Sequence, residues 1–489
     1  MVQYLTAAWF VLIVYTVAAA FFVAYVWQRF FSRQGLPENI PWAGAKKGVL
    51  SRAVATRKSF FGLRPIIQDG YHKVSQRPQL TVLAYVDSSQ YSKHNQAFVL
   101  PNLVSGPEVI IPMSQIRWLL EQPDHILNQR EINREFLHAD RTMLHLNVIR
   151  DSVHSRVIRR EMTKDLDNYA TAIVNEVEHS LRLNWGVNHQ QWTEISVYDT
   201  MLDVISRISN RVLVGLPLCR NREYLQSTST FARNVVITAG LLNLLPEALR
   251  PIFGPLIMAY DLSHYRKIAK HILPIVKERM ADFKPGLDYR KPDYSKHNDY
   301  IQWALHDAFS HDDPADRTPE MITQRLTVLS FAAIQSSVIT ITNVLFDIAS
   351  SPKSREFQQA MREEVQKVTL QKPESEQWRR ANLAMMVRID SALKESMRLW
   401  GFISRGVMKK VVAEEGVTLP SGEHLPYGAK VGVTSYAIHH DESVYHHPYE
   451  YDAFRFCGET KHGDKTYSPH SLVTSNDQFM AFSHGRHAW

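Results

Sequence analysis

Cysteine is nearly absent from this chain: Cys219 and Cys457 are the only two in 489 residues. Two cannot build the disulfide framework of a secreted scaffold, so the bulk of the chain is expected in a reducing compartment. No dense basic run interleaved with aromatics occurs, which argues against nucleic acid as a partner. No collagen-like or disordered bias appears either, since 45% hydrophobic and 21% charged residues are a globular composition. A net charge of +7, from 56 basic and 49 acidic residues, is mild. It suits an anionic membrane surface or an acidic partner protein. The length allows two or three ordinary domains or one large one.

Charge is missing altogether from Tyr4 to Trp27, "YLTAAWFVLIVYTVAAAFFVAYVW". At ~1.5 Å per residue such a run crosses a hydrocarbon core of about 30 Å. It is long for a cleavable leader, and its aromatic end makes a poor small-residue cleavage site. Arg29, Arg33, Lys46, Lys47 and Arg52 follow it, while no basic side chain precedes it. The expectation is a single transmembrane anchor over 4–27 with the body in the cytosol. A basic, proline-containing hinge over 28–65 follows, centred on "GLPENIPWAG". The remainder, 66–489, reads as one large unit.

Within that unit, apolar residues recur at helical spacing from about Ser114 to Ala349 and again from Ser354 to Leu399. In "YATAIVNEVEHSLRL", Ala170, Ile173, Val174, Val177 and Leu181 share a face. β-Branched runs between Pro-Ser-Gly and Pro-Tyr-Gly turns, "GVTLPSGEHLPYGAKVGVTSYAIH", point to short strands. The last fifty residues read as loops. The fold class is therefore mainly α with a small β component.

Three stretches could carry chemistry. In "SFAAIQSSVITIT", small residues Ala332 and Ala333 precede the hydroxyls Ser336, Ser337, Thr340 and Thr342 in an apolar helix. Hydroxyls there can bond back to carbonyls a turn earlier and loosen the helix. The small side chains leave room for something flat, or for a second helix. In "LKESMRLW", Glu395 and Arg398 lie three apart on one helix face and can pair. Buried, such a pair needs further partners, and Arg455 in "YDAFRF" is a candidate third member. The tail "FMAFSHGRHAW" has a glycine suited to a tight turn near a ligand, with Arg486 and His487 able to bind carboxylates; a frayed terminus is the plain alternative.

The order of these features, anchor, proline hinge, Ala-Ala-x-Gln-Ser-Ser helix, Glu-x-x-Arg, Phe-Arg-Phe loop and Phe-x-x-Gly-x-His, resembles the cytochrome P-450 monooxygenases, and most of all their fungal membrane-bound members. The resemblance implies that family's helical fold behind the anchor, and a haem (iron protoporphyrin) held by a cysteine thiolate. It makes Ser336 the proton-delivering hydroxyl, with Gln335 orienting a water chain beside it. Ala332, Ala333, Arg405, Phe482, Gly485 and His487 would contact the cofactor, and Glu395, Arg398 and Arg455 would form a structural triad. Electrons would come from NADPH through a separate membrane flavoprotein reductase. The substrate would be a hydrophobic small molecule, a fungal secondary metabolite such as a terpenoid, alkaloid or polyketide, oxidised at the endoplasmic reticulum membrane. In the family pattern the tail reads Phe-x-x-Gly-x-Arg-x-Cys. Here His487 replaces the arginine and Trp489 stands at the cysteine position. An indole N–H offers iron no lone pair, so no metal ligand is assigned. The expectation is a truncated chain or a faulty gene model; the alternative is an inactive, membrane-tethered binding protein of the same fold. The histidines between His439 and Pro448 have no spacing that fits a helical zinc pair.

Overall fold

The computed structural model describes residues 34–72 apart from 47, 95–283 apart from 189, and 294–458 apart from 312, 371, 374 and 375. It also describes 471–486, 488, a hairpin at 460–462 and 465–467, and residues 23, 25–27 and 30. Most of the expected anchor and the tail residues His487 and Trp489 lie outside the described residues.

The helices of nine residues or more are α1 (Val49–Phe61), α2 (Leu63–His72), α3 (Gln129–Leu137), α4 (Val153–Lys164), α5 (Leu166–Trp185) and α6 (Val197–Leu213). They continue with α7 (Arg222–Leu244), α8 (Arg250–Met280), α9 (Tyr300–Ser310), α10 (Pro319–Ser350), α11 (Ser354–Thr369) and α12 (Val387–Trp400). The starts follow capping chemistry. Thr318 accepts the amide of Met321 ahead of Pro319 in α10, and Asp299 accepts that of Gln302 in α9. Asp299 also holds Arg279 of α8 at 2.6 and 2.9 Å, tying two helix ends together.

Five strands form one sheet in the order β1-β2-β5-β4-β3, where β1 is Phe98–Leu100, β2 Glu108–Ile110, β3 Leu127–Asn128, β4 Gly406–Val411 and β5 Lys430–Val433. β2 and β5 run parallel and the other neighbours antiparallel. All residues of β1, β2 and β5 are buried. The segment expected to be a hinge packs here, with Leu36, Ile40, Trp42 and Ala43 in the sheet's core and Trp42 bridging Val99. α2 lies so close that a Cβ on Gly70 would sit 2.6 Å from the Phe98 ring, so only glycine fits.

A second, larger core joins α4, α7, α8, α9 and the first half of α10 around Phe231, Trp303 and Leu326. α10 is the central helix, in contact with α6, α7, α8 and α12. Among the described residues it alone is a single helix long and apolar enough to cross a membrane, yet its packing makes it the core of this fold.

Four readings change. The helical stretch expected over 354–399 is broken into α11, a short helix at Arg380–Leu383 and α12, with Pro373 in the break after α11. Ser435–His439, read as strand, is a short helix whose first turn is capped by the Thr434 hydroxyl. The Ser336 and Ser337 hydroxyls do bond back to the Ala332 and Ala333 carbonyls, at 3.2 and 3.0 Å, but α10 runs unbroken. In α5 the apolar stripe stays half-buried, while Glu176 is fully buried and meets Arg220 at 2.9 Å. The charge pair, rather than the stripe, faces the interior.

Trp303 fills the centre of the larger core, edge-on to Tyr169 at 5.5 Å, and donates its indole N–H to Asn298 at 2.9 Å. Trp303→Ala should destabilise the domain by about 3–5 kcal/mol. Urea unfolding followed by tryptophan-independent circular dichroism measures this.

Candidate functional site

The Glu395 carboxylate is the hub of the C-terminal half. Its side chain and that of Arg398 are fully buried. Oε2 accepts from Arg398 Nε at 2.7 Å and Oε1 from Arg398 Nη2 at 2.8 Å, the two-pronged geometry of a strong guanidinium–carboxylate pair. Arg455 Nε adds a third bond to Oε1 at 2.9 Å. The remaining guanidinium donors go to backbone carbonyls: Arg398 to His439 and Pro448, and Arg455 to His446, His447 and Glu450. The structure thus brings all three expected triad members together.

From this hub the order passes to the terminal turn. His439 Nδ1 donates to the Arg398 carbonyl at 3.2 Å, and Nε2 accepts the Met480 amide at 3.0 Å. That arrangement needs a neutral ring. Burial, then the adjacent Arg398 charge, pushes the His439 pKa down to about 3. Asn476 accepts the amides of Gln478 and Phe479, and the Val407 amide donates to the Ser483 hydroxyl. Gly485 has a φ of 84°, and a Cβ there would approach Leu120 to 2.5 Å. Arg486 closes the turn on Asp124 at 2.7 Å. Phe482 is half-buried beside Met397, Phe479 and Ala481.

The α10 residues divide. Ala332 is exposed, Ala333 and Ser336 are half-buried, and Ser337 is exposed, making an open strip in the middle of the helix. Gln335 is not on it. It is buried against α6, where its Oε1 lies 3.4 Å from the Tyr198 hydroxyl. Arg405, expected to meet a cofactor carboxylate, pairs through Nη1 with buried Glu108, and Phe136 lies under its guanidinium at 5.7 Å.

Neither cysteine supplies the thiolate that the resemblance implies. Cys219 is fully buried in the larger core, and burial pushes its thiol up to about 11. Cys457 is half-buried, donates to the Val387 carbonyl at 3.6 Å, and its pKa is also raised by burial. Both therefore stay as thiols at neutral pH. Among the described residues no group of three His, Cys, Asp or Glu side chains could hold a metal ion. The donor chemistry does not fit an iron held by sulfur from this chain.

Sequence reasoning missed Lys394, one residue before the hub. It is buried, lies over the Phe456 and Phe479 rings at 5.0 and 4.7 Å, and donates to the Ser471 carbonyl at 3.3 Å. Helical periodicity alone gives a lysine no signal of burial. Its pKa falls to about 8 through burial, opposed by Asp390. Between about pH 8 and 10.5 the unfolded chain holds this proton and the folded chain has lost it, so stability rises with pH in that window. Lys394→Met should remove up to about 1.4 kcal/mol per pH unit of that slope and raise stability at pH 7. Guanidinium unfolding at pH 7, 8, 9 and 10 measures both effects.

The family model described as Cytochrome P450 matches residues 108–488. The protein named Cytochrome P450 monooxygenase gloP, from Glarea lozoyensis, is 28% identical over 95% of this chain and 83% of its own length. Cytochrome P450 monooxygenase htyF of Aspergillus rugulosus is 29% identical over 96% of this chain and 68% of its own. Cytochrome P450 monooxygenase 151 of Postia placenta is 30% identical over 70% of this chain and 66% of its own. With a match across more than half its length and a buried Glu-Arg-Arg hub in the matched region, the chain belongs to the cytochrome P450 family and by resemblance is a monooxygenase.

Proposed function

We propose that the protein is a haem-type monooxygenase that oxidises a hydrophobic secondary metabolite beside a membrane, with electrons from NADPH through a separate flavoprotein reductase. The observation that carries this reading is the open strip Ala332, Ala333 and Ser336 in the middle of α10, within the region matched by the family. Bound haem supplies the activation of dioxygen in this family. Ala332 and Ala333 keep a flat surface free of bulky side chains, and Ser336 carries the hydroxyl that can hold a proton there. Gln335, buried against Tyr198, fits a packing role better than water orientation. Arg405 keeps its Nε and Nη2 edge for a ligand carboxylate while Glu108 holds Nη1. Phe482 and Gly485 belong to the turn that would face the cofactor, and His487 would add a donor beside them.

The second reading, an inactive binding protein of the same fold, draws support from the donor chemistry, since Cys219 and Cys457 are buried or engaged thiols. A reduced carbon monoxide difference spectrum separates the two. The monooxygenase reading expects haem uptake and a thiolate-type Soret band once sulfur stands at the position where the family pattern has cysteine, as in Trp489→Cys. Haem uptake by neither that variant nor the unaltered chain would favour the binding protein.

Membrane attachment is part of the proposal. α7 and α8 meet at a sharp bend of 119°, and this corner exposes Ile237 (54%), Ile252 (64%) and Leu256 (69%) together with Leu241 and Phe253. Tyr25, at the end of the apolar N-terminal run, donates its hydroxyl to the Leu244 carbonyl at the same corner. An apolar patch beside an uncharged run suits one lipid surface. A nitroxide at Leu256→Cys, in the full chain reconstituted in nanodiscs, should be reached by oxygen and shielded from a water-soluble relaxation agent. The reverse accessibility would contradict the attachment.

A further inference from the structure

The cleft between α6 and α7 has a volume of about 530 Å³ and plays no part in the site described above. Its α7 wall carries Arg222, Gln226, Ser229 and Arg233, spaced by three and four residues and so stacked on one helix face. Of the acids on the opposite wall, Asp203 is ion-paired and Asp199 is held by a hydroxyl. Asp203 binds Arg207 at 2.8 Å and Asn184 at 2.8 Å, and Asp199 accepts from the Ser196 hydroxyl at 2.7 Å. Ser206 and Ser229 bond across the floor at 2.8 Å. Arg222 and Arg233 line this cleft with no ion-pair partner among the described residues. The cleft therefore presents two guanidinium groups, about 16 Å apart along the helix axis, against the single unpaired carboxylate of Asp199, and so keeps a net positive charge above a floor of paired polar groups.

The α7 face does not end there. Four and eight residues beyond Arg233 stand Ile237 and Leu241, 54% and 50% exposed, which lead into the apolar corner with α8. From Arg233 to Leu241 is about 12 Å along the helix, comparable to the depth of a lipid headgroup layer. A soluble anion would use the arginines and leave the apolar lip idle. A molecule with an anionic head and an apolar tail uses both.

We propose that this cleft binds the phosphate-bearing headgroup of an anionic phospholipid. Arg233, and Arg222 for a larger headgroup, take the phosphate oxygens, which match guanidinium geometry. The acyl chains lie over Ile237 and Leu241. The cationic α7 face would then fix how far the domain sits into the bilayer. This rests on the membrane attachment proposed above.

The test is hydrogen exchange, read by mass spectrometry, on the full chain in nanodiscs of phosphatidylcholine alone or with phosphatidylserine. Anionic lipid should slow exchange in 197–213 and 222–233 by about three-fold or more. Arg222→Gln/Arg233→Gln should abolish that difference while exchange elsewhere stays unchanged, which shows that the variant is folded. Equal exchange in both lipids overturns the proposal. So does equal slowing by inorganic phosphate added to phosphatidylcholine discs, which would make the ligand a free anion. If the nitroxide at 256 is buried and no lipid dependence appears, the headgroup site fails and the attachment stands.

Discussion

A carboxylate with no access to water, shared between two arginines, is the constraint on which the C-terminal half rests. Glu395 and Arg398 are both fully buried, so each must find its hydrogen bonds inside the protein. Arg398 and Arg455 have donors to spare after meeting Glu395, and these collect the backbone carbonyls of 439, 446, 447, 448 and 450. The end of the short helix Ser435–His439 and the irregular loop after it are thereby held by charge-assisted bonds rather than by a ladder. Such a cluster is not a strong source of net stability against an apolar replacement. What it supplies is geometry: the loop has one low-energy path past α12.

That path determines the terminal turn. His439 is fixed by the Arg398 carbonyl on one side and presents an acceptor to the Met480 amide on the other. Its very low pKa keeps the ring neutral across the physiological range, so the link does not titrate away. Lys394 closes the opposite side through the Phe456 and Phe479 rings and the Ser471 carbonyl. The terminal turn around Gly485 is therefore held by buried polar contacts that begin at α12.

Much of this was legible in the sequence because its signals are local. Helical periodicity marked α10, and the ordered motifs identified the family and the residues of the hub. Other features depend on partners remote in the chain. The sheet was only partly visible, since β1, β2 and β3 are two or three residues long and too short to show alternation. Nothing local marks Glu176 or Lys394 as buried, because Arg220 and the two phenylalanine rings that meet them are remote in the chain. Gln335 and Ser336 are neighbours in sequence, yet the helix turns one into a packed wall and leaves the other on the open strip. Arg405 met Glu108 almost three hundred residues away. No motif encodes that distance.

The central claim is that Glu395 and Arg398 act as one buried unit that orders the loop and the turn. A double-mutant cycle on unfolding free energy, using Glu395→Leu, Arg398→Met and the pair together, measures it most directly. Each single change should cost about 3–5 kcal/mol by stranding a charge, and the double change should cost clearly less than their sum. Additive losses of under about 1 kcal/mol each would show two independent side chains and contradict the account.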